Sequence, residues 1–191
     1  QHIYSTMGAF AAVKAHGSVV TWGHALCGGD SRHEQDHLKK VQHIYSSVDA
    51  FAAVKADGSI VTWGNAAYGG NSRDVQKVVT WGQLVNVQNI YSTDEAFAVV
   101  KADGSVVTWG GDAFGGDSRD VQEQLVDVQR IYWTDAAFAA VNANGSIAAW
   151  GDDRYGGDSR DVQEQLVNIQ HIHSTRGAFA AVTADGSVVT W

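Results

Sequence analysis

Four side chains near the start of the sequence are of types that bind zinc. His24, Cys27, His33 and His37 lie close together along the chain, and imidazole and thiolate are the usual zinc ligands. The chain has a single cysteine, however, and therefore no paired cysteine motif. His33 and His37 would share a face only if that stretch were helical. We therefore predict no metal site from these residues.

A second candidate is the segment Gly-Asp-Ser-Arg-Asp at 116–120, which recurs at 157–161. Carboxylates two or three residues apart in a glycine-rich loop can bind Ca²⁺. The segment lacks the regular alternation of oxygen ligands found in dedicated calcium loops. Asp or Ser capping of a short helical turn through the following Val-Gln-Glu-Gln-Leu explains the same residues. We expect neither a metal ion nor a cofactor here.

Motifs for catalysis are missing from the sequence. It contains no Gly-x-Ser-x-Gly nucleophile elbow, no phosphate-binding loop and no dinucleotide fingerprint. Carboxylates recur along the chain, but none is paired in sequence with an obvious acid–base partner. The sequence therefore predicts a non-enzymatic protein.

Composition narrows the function classes further. Hydrophobic residues make up 45% and charged residues 18% of the 191 residues, as in a globular protein. No apolar run approaches the roughly 20 residues of a membrane-spanning helix, so no membrane insertion is expected. The 21 acidic and 13 basic residues give a net charge of −8. Since nucleic-acid binders usually carry a basic surface, no nucleic acid is expected as a partner.

The elements that must position any site belong to a tandem repeat. The dipeptide Ala-Phe begins at positions 9, 50, 96, 137 and 178, and a Trp closes a Val-Val-Thr-Trp type of segment at 22, 63, 109, 150 and 191. Both series step by 41, 46, 41 and 41 residues, and the long step coincides with an inserted Lys-Val-Val-Thr-Trp-Gly at 77–82. The repeat predicts one domain of five units, numbered 1 to 5: 1–41, 42–87, 88–128, 129–169 and 170–191.

Each unit contains three strand candidates, such as 87–92 for the first, 50–56 for the second and 59–63 for the third. Asp-Gly or Asn-Gly separates the second and third candidates in four units. This is a hairpin signal, because a type I′ turn needs positive φ at both central positions. Both faces of the second strand are largely apolar, so each small sheet must be covered on both sides. An all-β fold follows, either a β-propeller or a linear β-solenoid, and the unit length and closing Trp favour the propeller.

The unit Val-x-x-Ile-Tyr-Ser … Ala-Phe-Ala-Ala-Val-Lys-Ala-Asp-Gly-Ser-Val-Val-Thr-Trp-Gly … Gly-Gly resembles the regulator-of-chromosome-condensation (RCC-like) type of propeller repeat. Its length is most similar to the bacterial β-lactamase inhibitory protein II branch, whose blades are three-stranded. The resemblance covers essentially the whole chain and implies a β-propeller with blades of about 41 residues. Those relatives close with seven blades, whereas five units are present here. A closed ring and an excerpt of a longer array are both consistent with the sequence.

Alternating strand directions place the variable loops on one face, which we call the upper face. It comprises the turns between first and second strands and the segments that follow Trp-Gly. Variation collected on one face is typical of recognition surfaces in repeat proteins, although exposed loops also drift without function. The predicted partner-binding residues are four aromatic residues and four charged residues: Trp133, Tyr68, Phe114, Tyr155, Asp94, Glu95, Asp135 and Arg176.

Trp133 is the strongest of these candidates because its position is Ser in the other four units. Exposed aromatic rings anchor protein contacts and also stack on sugars. The aromatic residues that precede Gly-Gly, namely Tyr68, Phe114 and Tyr155, serve equally well as cover for the rim of a blade-to-blade core.

We predict a binding module whose acidic upper face docks a protein partner, for which a basic surface would be complementary. The resemblance implies protein binding, since relatives bind proteins such as small GTPases, histones or a β-lactamase. None of those partners carries over, because the contact loops differ here. A lectin-like module with shallow sugar sites between blades, and a structural repeat segment of a larger protein, are the alternatives.

Overall fold

A computed structural model describes residues 2–72 and 86–191, so the insertion at 77–82 lies outside the described residues. The described chain forms five three-stranded antiparallel sheets, each ordered first, second, third strand. The predicted all-β architecture of three-stranded propeller blades is confirmed. The strands are β1 His2–Ser5, β2 Ala9–Val13, β3 Val19–Gly23, β4 Val41–Ser46, β5 Ala50–Lys55, β6 Ile60–Gly64, β7 Val87–Ser92, β8 Ala96–Lys101, β9 Val106–Gly110, β10 Val128–Trp133, β11 Ala137–Asn142, β12 Ile147–Gly151, β13 Ile169–Ser174, β14 Phe179–Thr183 and β15 Val188–Thr190.

The hairpins between second and third strands are present, but the predicted type I′ turn is wrong. In unit 2 the Lys55 amide donates to the Ser59 carbonyl at 2.9 Å, which closes a longer loop. Gly58 has a φ of 74°, whereas Asp57 is outside the left-handed region. The Asp57 carboxylate instead accepts from the Ser59 amide at 3.0 Å and from its hydroxyl at 2.6 Å. Asp57 is therefore needed here because its side chain accepts hydrogen bonds, and Gly58 because its backbone adopts a positive φ.

Neighbouring blades pack through one repeated set of side chains, which the interface between units 3 and 4 illustrates. The unit 3 side is small and flat, with buried Ala96 and Ala98, and the unit 4 side is large, with buried Phe138 and Trp150. The Phe138 and Trp150 rings stack with centroids 5.3 Å apart, and Trp150 Nε1 donates to the Gly115 carbonyl at 3.0 Å. A Cβ at Gly115 would lie 2.6 Å from the Phe138 ring, so this loop needs glycine to reach the aromatic pair.

The aromatic pair is buried in units 2 to 4, and in unit 5 Phe179 is buried while Trp191 is partly buried. The second-strand Phe is at most 1% exposed in units 2 to 5: Phe51, Phe97, Phe138 and Phe179. In unit 1 the equivalent Phe10 and Trp22 stack in the same way, with centroids 5.4 Å apart. They are nevertheless 45% and 43% exposed, because no described blade covers that side of the first sheet.

The first strands of neighbouring blades lie against one another. Contacts join β1 to β4, β4 to β7, β7 to β10 and β10 to β13. These strands therefore form the inner edge of the propeller arc. The four that follow a unit boundary begin at Val41, Val87, Val128 and Ile169, one residue before the boundaries expected from the repeat.

Short 3-10 helices follow the third strands of units 1 to 4. They span Ala25–Cys27, Ala66–Tyr68, Asp112–Phe114 and Asp153–Tyr155, and longer ones span Arg119–Gln124 and Arg160–Gln165. Of the two residues expected to cap the Arg119–Gln124 turn, Ser118 is at the N-cap position but makes no capping hydrogen bond, and its hydroxyl donates to Gln122 at 3.0 Å. The Asp117 carboxylate accepts from the amide of Arg119, the first residue of the helix, and from its guanidinium.

Replacing Trp109 with Ala tests whether this packing stabilises the blades. Trp109 is 3% exposed and its Nε1 donates to the Gly69 carbonyl at 3.0 Å. We expect Trp109→Ala to lower the free energy of unfolding by about 3–5 kcal/mol in urea denaturation, as for other buried aromatic truncations. The matched control is Trp22→Ala, at an equivalent but exposed position, with an expected loss of about 1 kcal/mol or less. Equal losses of unfolding free energy from Trp109→Ala and Trp22→Ala would contradict the conclusion that Trp109 is buried between blades and Trp22 is not.

Candidate interaction surface

A ladder of backbone hydrogen bonds joins the upper turns of successive blades. The Met7 amide donates to the Val48 carbonyl, Val48 to Asp94, Asp94 to Asp135, and Asp135 to Arg176, each at 2.9 Å. Each bond crosses from one blade to the next, so the turns form one continuous row. Three predicted site residues, Asp94, Asp135 and Arg176, are thereby held in adjacent positions on the upper face.

A second set of hydrogen bonds fixes the aromatic residues beside these turns. The hydroxyl at the start of each turn donates to the carbonyl of the residue that ends the short 3-10 helix of the same unit: Ser47 to Tyr68 at 2.7 Å, Thr93 to Phe114 at 2.9 Å and Thr134 to Tyr155 at 3.0 Å. The two kinds of upper loop therefore form one rigid surface.

The structure places Tyr68, Phe114 and Tyr155 at the upper edge of the blade-to-blade cores. All three rings are half-buried and pack against the buried side chains of their clusters. Part of each ring stays in solvent, so the same residue both covers the core and contributes to the surface. The two roles left open by the sequence are compatible with one another.

Glu95 and Tyr68 form a polar contact across the interface between units 2 and 3. Partial burial raises the pKa of the Glu95 carboxyl, and the negative charges of Asp94 and Asp49 raise it further. A hydrogen bond with Tyr68 opposes this shift. The charge of Glu95 is in turn the main cause that raises the pKa of the Tyr68 hydroxyl. The ring of Tyr68 is therefore fixed by a carboxylate that is itself under repulsion.

Asp94 is the second carboxylate with unfavourable surroundings. Partial burial raises the pKa of its carboxyl, the charge of Asp135 adds to the rise, and Arg176 acts in the opposite direction. Asp94, Glu95 and Asp135, which we call the acidic row, thus concentrate negative charge on the upper face, and this lowers the stability of the folded state. A cation bound over Asp94 and Asp135 would relieve that repulsion.

Trp133 ends strand β10 immediately before the turn that contains Asp135. Its side chain is 47% exposed, and its ring centroid lies 5.6 Å from that of Tyr91 in the neighbouring blade. Where the equivalent residue is Ser92, the hydroxyl donates to the Ser46 carbonyl at 2.9 Å instead. Trp133 therefore replaces a small polar link with a large exposed ring beside the acidic row.

Sequence reasoning missed Tyr91, which holds the Trp133 ring from the adjacent blade. The signal was available, because the repeat places Tyr91 one position before the Ser that is equivalent to Trp133. This position of Tyr91 indicates a contact with Trp133 only once the first strands of neighbouring blades are known to lie against one another.

A cleft of about 410 Å³ extends the acidic surface around the outer loops of units 3 and 4. Its lining includes Asp112, Asp120 and Asp153. Asp158, also in the lining, is paired with Arg160, whose hydrogen bonds lower the pKa of the Asp158 carboxyl to about 2. Five aspartates and one arginine line the cleft, so acidic side chains predominate in it.

The residues considered for zinc are not arranged as a site. Cys27 Sγ lies 3.5 Å from His24 Nδ1, and a hydrogen bond with Asp49 is the main cause that raises the pKa of the thiol. Since the thiolate is the metal-binding form, this shift works against ligation. Among residues 2–72 and 86–191, no three His, Cys, Asp or Glu side chains are grouped so that they could hold a metal ion. None of the helices in those ranges is long and apolar enough to cross a membrane.

Comparison with known proteins supports the fold. No family model and no curated protein matches the chain. Among solved structures it is similar to Prp20p of Saccharomyces cerevisiae (15% identity, TM-score 0.58, 98% of this chain and 56% of that one). It is also similar to human WBSCR16 (14%, 0.53, 97% and 60%) and to the ectodomain of the Physcomitrella patens receptor kinase CR4 (13%, 0.55, 99% and 51%).

These likenesses define first a class, the β-propellers built from short tandem blades. Within it, the fold is similar to that of Prp20, which is yeast RCC1, in agreement with the RCC-like repeat expected from the sequence. The chain spans between 51% and 60% of the length of these three structures. The finer resemblance to the β-lactamase inhibitory protein II branch stays a prediction.

Replacing Asp94 with Asn tests whether the partly buried charge of Asp94, repelled by Asp135, destabilises the folded state. Because the pKa of Asp94 is raised in the folded state, its ionised form destabilises the fold above that pKa. We expect Asp94→Asn to increase the free energy of unfolding at pH 7. The gain should disappear below about pH 3.9, where the side chain is also protonated in the unfolded chain. Urea denaturation at pH 7 and pH 3 measures both values.

The matched control is Asp103→Asn in a lower hairpin. Hydrogen bonds from Ser105 lower the pKa of Asp103 to about 2, so its charge stabilises the fold at pH 7 and this contribution is lost only as the pH falls towards about 2. Asn144 makes the same turn bonds in unit 4, so the substitution removes mainly the charge. We expect a loss of stability at pH 7. If Asp94→Asn and Asp103→Asn changed the free energy of unfolding at pH 7 in the same direction, the conclusion that the Asp94 charge destabilises the fold and the Asp103 charge stabilises it would be contradicted.

Proposed function

We propose that this chain is a non-catalytic interaction module that binds a protein partner through its upper face. The observation that carries the proposal is the position of Trp133, a half-exposed ring beside a row of carboxylates that the backbone ladder holds together. Large aromatic residues are enriched among the residues that dominate binding energy. Trp133 would enter an apolar pocket of the partner, and the acidic row would orient it.

The charge of the upper face supports a partner with a basic surface. Asp94 and Glu95 lie in the turn of unit 3 and Asp135 in the turn of unit 4, and among the five ladder residues only Arg176 is a cation. Complementary charge mainly accelerates encounter and fixes orientation, and it is weakened by salt. Partial burial is the main cause that raises the pKa of Asp94, and a basic group placed over Asp94 and Asp135 would also offset the repulsion by Asp135 that adds to it.

Proteins of the same fold give independent support. Prp20p binds Gsp1p and histones, and Kap60 binds Prp20. The identity of 15% does not transfer these partners to this chain. The shared fold supports the coarser inference that a propeller of this type serves to bind proteins.

Trp133→Ser provides the sharpest test, because Ser is the residue at this position in the other four units. The tagged chain and the variant are used to capture proteins from a lysate, and candidates are those bound by the original chain and lost with Trp133→Ser. With a purified candidate, we expect the variant to bind at least about tenfold more weakly, which is about 1.4 kcal/mol. Its urea denaturation should be nearly unchanged.

The matched control is Val126→Ser, which alters a 58% exposed apolar residue away from the upper face. It should bind as the original chain does. Asp94→Asn and Asp135→Asn should slow association at low salt, and the difference should shrink at high salt. If every protein captured by the original chain is captured equally by Trp133→Ser, or if a purified candidate binds both with the same affinity, the proposal is contradicted. Sugar binding on a glycan array that depends on Trp133 would favour the lectin alternative.

A further inference from the structure

Trp133 and Tyr91 form an aromatic pair at the upper end of the inner edge, which we call the ledge pair. Their ring centroids lie 5.6 Å apart, and the ring planes are inclined at 51°. Trp133 is 47% exposed, and Tyr91 is half-buried. Units 3 and 4, which supply the two rings, each have a described blade on both sides. The exposure of the ledge pair is therefore that of an interior position of the arc.

The next tyrosine along the inner edge shows what such a ring binds. Tyr132 occupies in unit 4 the position of Tyr91 in unit 3, and the guanidinium carbon of Arg130 lies 5.4 Å from the centroid of its ring. This distance is within the range of a cation–π interaction. The residue equivalent to Arg130 in unit 3 is Asn89, so the strand of Tyr91 supplies no cation at this position. The ledge pair is thus a similar aromatic surface without an arginine.

The carboxylates beside the ledge pair have no paired cation either. Asp135 follows Trp133 by two residues, so their Cα atoms are at most about 7 Å apart. The Asp94 amide donates to the Asp135 carbonyl at 2.9 Å. The charge of Arg176 acts on Asp94, but within the described part of the chain no ion pair joins Asp94, Glu95 or Asp135 to a cationic side chain.

Elsewhere in the chain, aspartates are paired with arginine at two points. The Arg154 guanidinium donates to both oxygens of Asp152, at 3.1 Å from Nε and at 2.7 Å from a terminal nitrogen. Asp117 and Asp158 are paired in the same way with the arginines two residues further on. The planar guanidinium suits this contact because its N–H groups form a fork that matches a carboxylate. The acidic row offers the same acceptors without the donors.

We propose that the ledge pair and the acidic row together bind an arginine side chain of the protein partner. The flat face of the guanidinium stacks on the Trp133 ring, and its edge donates to the carboxylates of Asp135 and Asp94. The inference rests on the proposed function and specifies it, since the methylene groups of this arginine form the wall of the partner's pocket that faces Trp133. A lysine would supply the same charge, but its ammonium has neither a flat face nor a fork of donors.

Hexa-arginine and hexalysine peptides test the proposal, because their side chains carry the same charge and differ only in the cationic group. Their affinities for the full chain are measured by calorimetric titration at pH 7 and physiological salt. Both peptides are attracted by the net charge of −8, so the ratio of their dissociation constants reports the preference for arginine. We expect hexa-arginine to bind at least about fivefold more tightly. A ratio close to one for the original chain overturns the proposal.

Trp133→Ser determines where this preference arises. The variant keeps the acidic row, so we expect both peptides still to bind, with a ratio below about two. Val126→Ser, away from the upper face, should keep the ratio of the original chain. In NMR spectra of the ¹⁵N-labelled chain, hexa-arginine should shift the indole N–H signal of Trp133, which is identified by its absence from the Trp133→Ser spectrum. A preference that survives in Trp133→Ser, or an unshifted Trp133 signal, overturns the proposal.

Asp135→Asn separates the role of this carboxylate from the loss of one negative charge. The matched control is Asp120→Asn, which removes an exposed charge from the lining of the outer cleft. We expect Asp135→Asn to weaken hexa-arginine binding by at least about threefold and Asp120→Asn to change it by less. Equal losses of affinity from the two variants would overturn the assignment of Asp135 to the arginine site.

The arginine site and the proposed function fail in different experiments. If a purified partner depends on Trp133 but the peptides show no preference for arginine, the arginine site is wrong and the proposed function stands. If the peptides show a preference for arginine that depends on Trp133, but no captured protein does, the arginine site stands and the proposed function is wrong.

Discussion

The contact between a Phe–Trp pair and the glycine loop of the preceding blade is the constraint on which the rest of the structure depends. Trp63, Trp109 and Trp150 each donate Nε1 to a loop carbonyl at 3.0 Å. The loop glycine lies so close to the Phe ring that a Cβ would collide with it. The close approach of the loop glycine to the Phe ring recurs at all four interfaces between described blades, whereas the indole hydrogen bond is made at three of them and Nε1 of Trp191 has no partner. Because the Phe contact recurs, successive blades keep one spacing, and that spacing lets the upper turns meet in a continuous backbone ladder.

The acidic row is a consequence of this spacing. Isolated carboxylates on flexible loops would move apart, but Asp94 and Asp135 are joined through their own backbones at 2.9 Å. The raised pKa values of Asp94 and Glu95 record the unfavourable free energy of holding these charges in partly buried positions. The buried aromatic interfaces supply the stability that offsets it. Residues held at a cost by the surrounding fold are frequent at functional sites.

The repeat period made the strands and hairpins predictable, because each unit must satisfy the same hydrogen bonds and the same packing. The turn type was not predictable from Asp-Gly alone, since the carboxylate of Asp57 binds Ser59 and leaves positive φ to Gly58. The exposure of Tyr68 and the partner of Trp133 were also beyond a reading of single units. Both depend on which residues of the next blade lie alongside, and only the packed arc determines that.

Trp22 and Trp63 show how far burial in a repeat protein depends on neighbours. Both close a Val-Thr-Trp-Gly segment opposite a Phe, yet one is 43% exposed and the other 3%. Local sequence determines the strand and the stacked ring pair, which are present in both units. The difference arises from the preceding blade. In a chain of near-identical units, burial of the Phe–Trp pair is therefore determined by the adjacent blade and not by the local sequence.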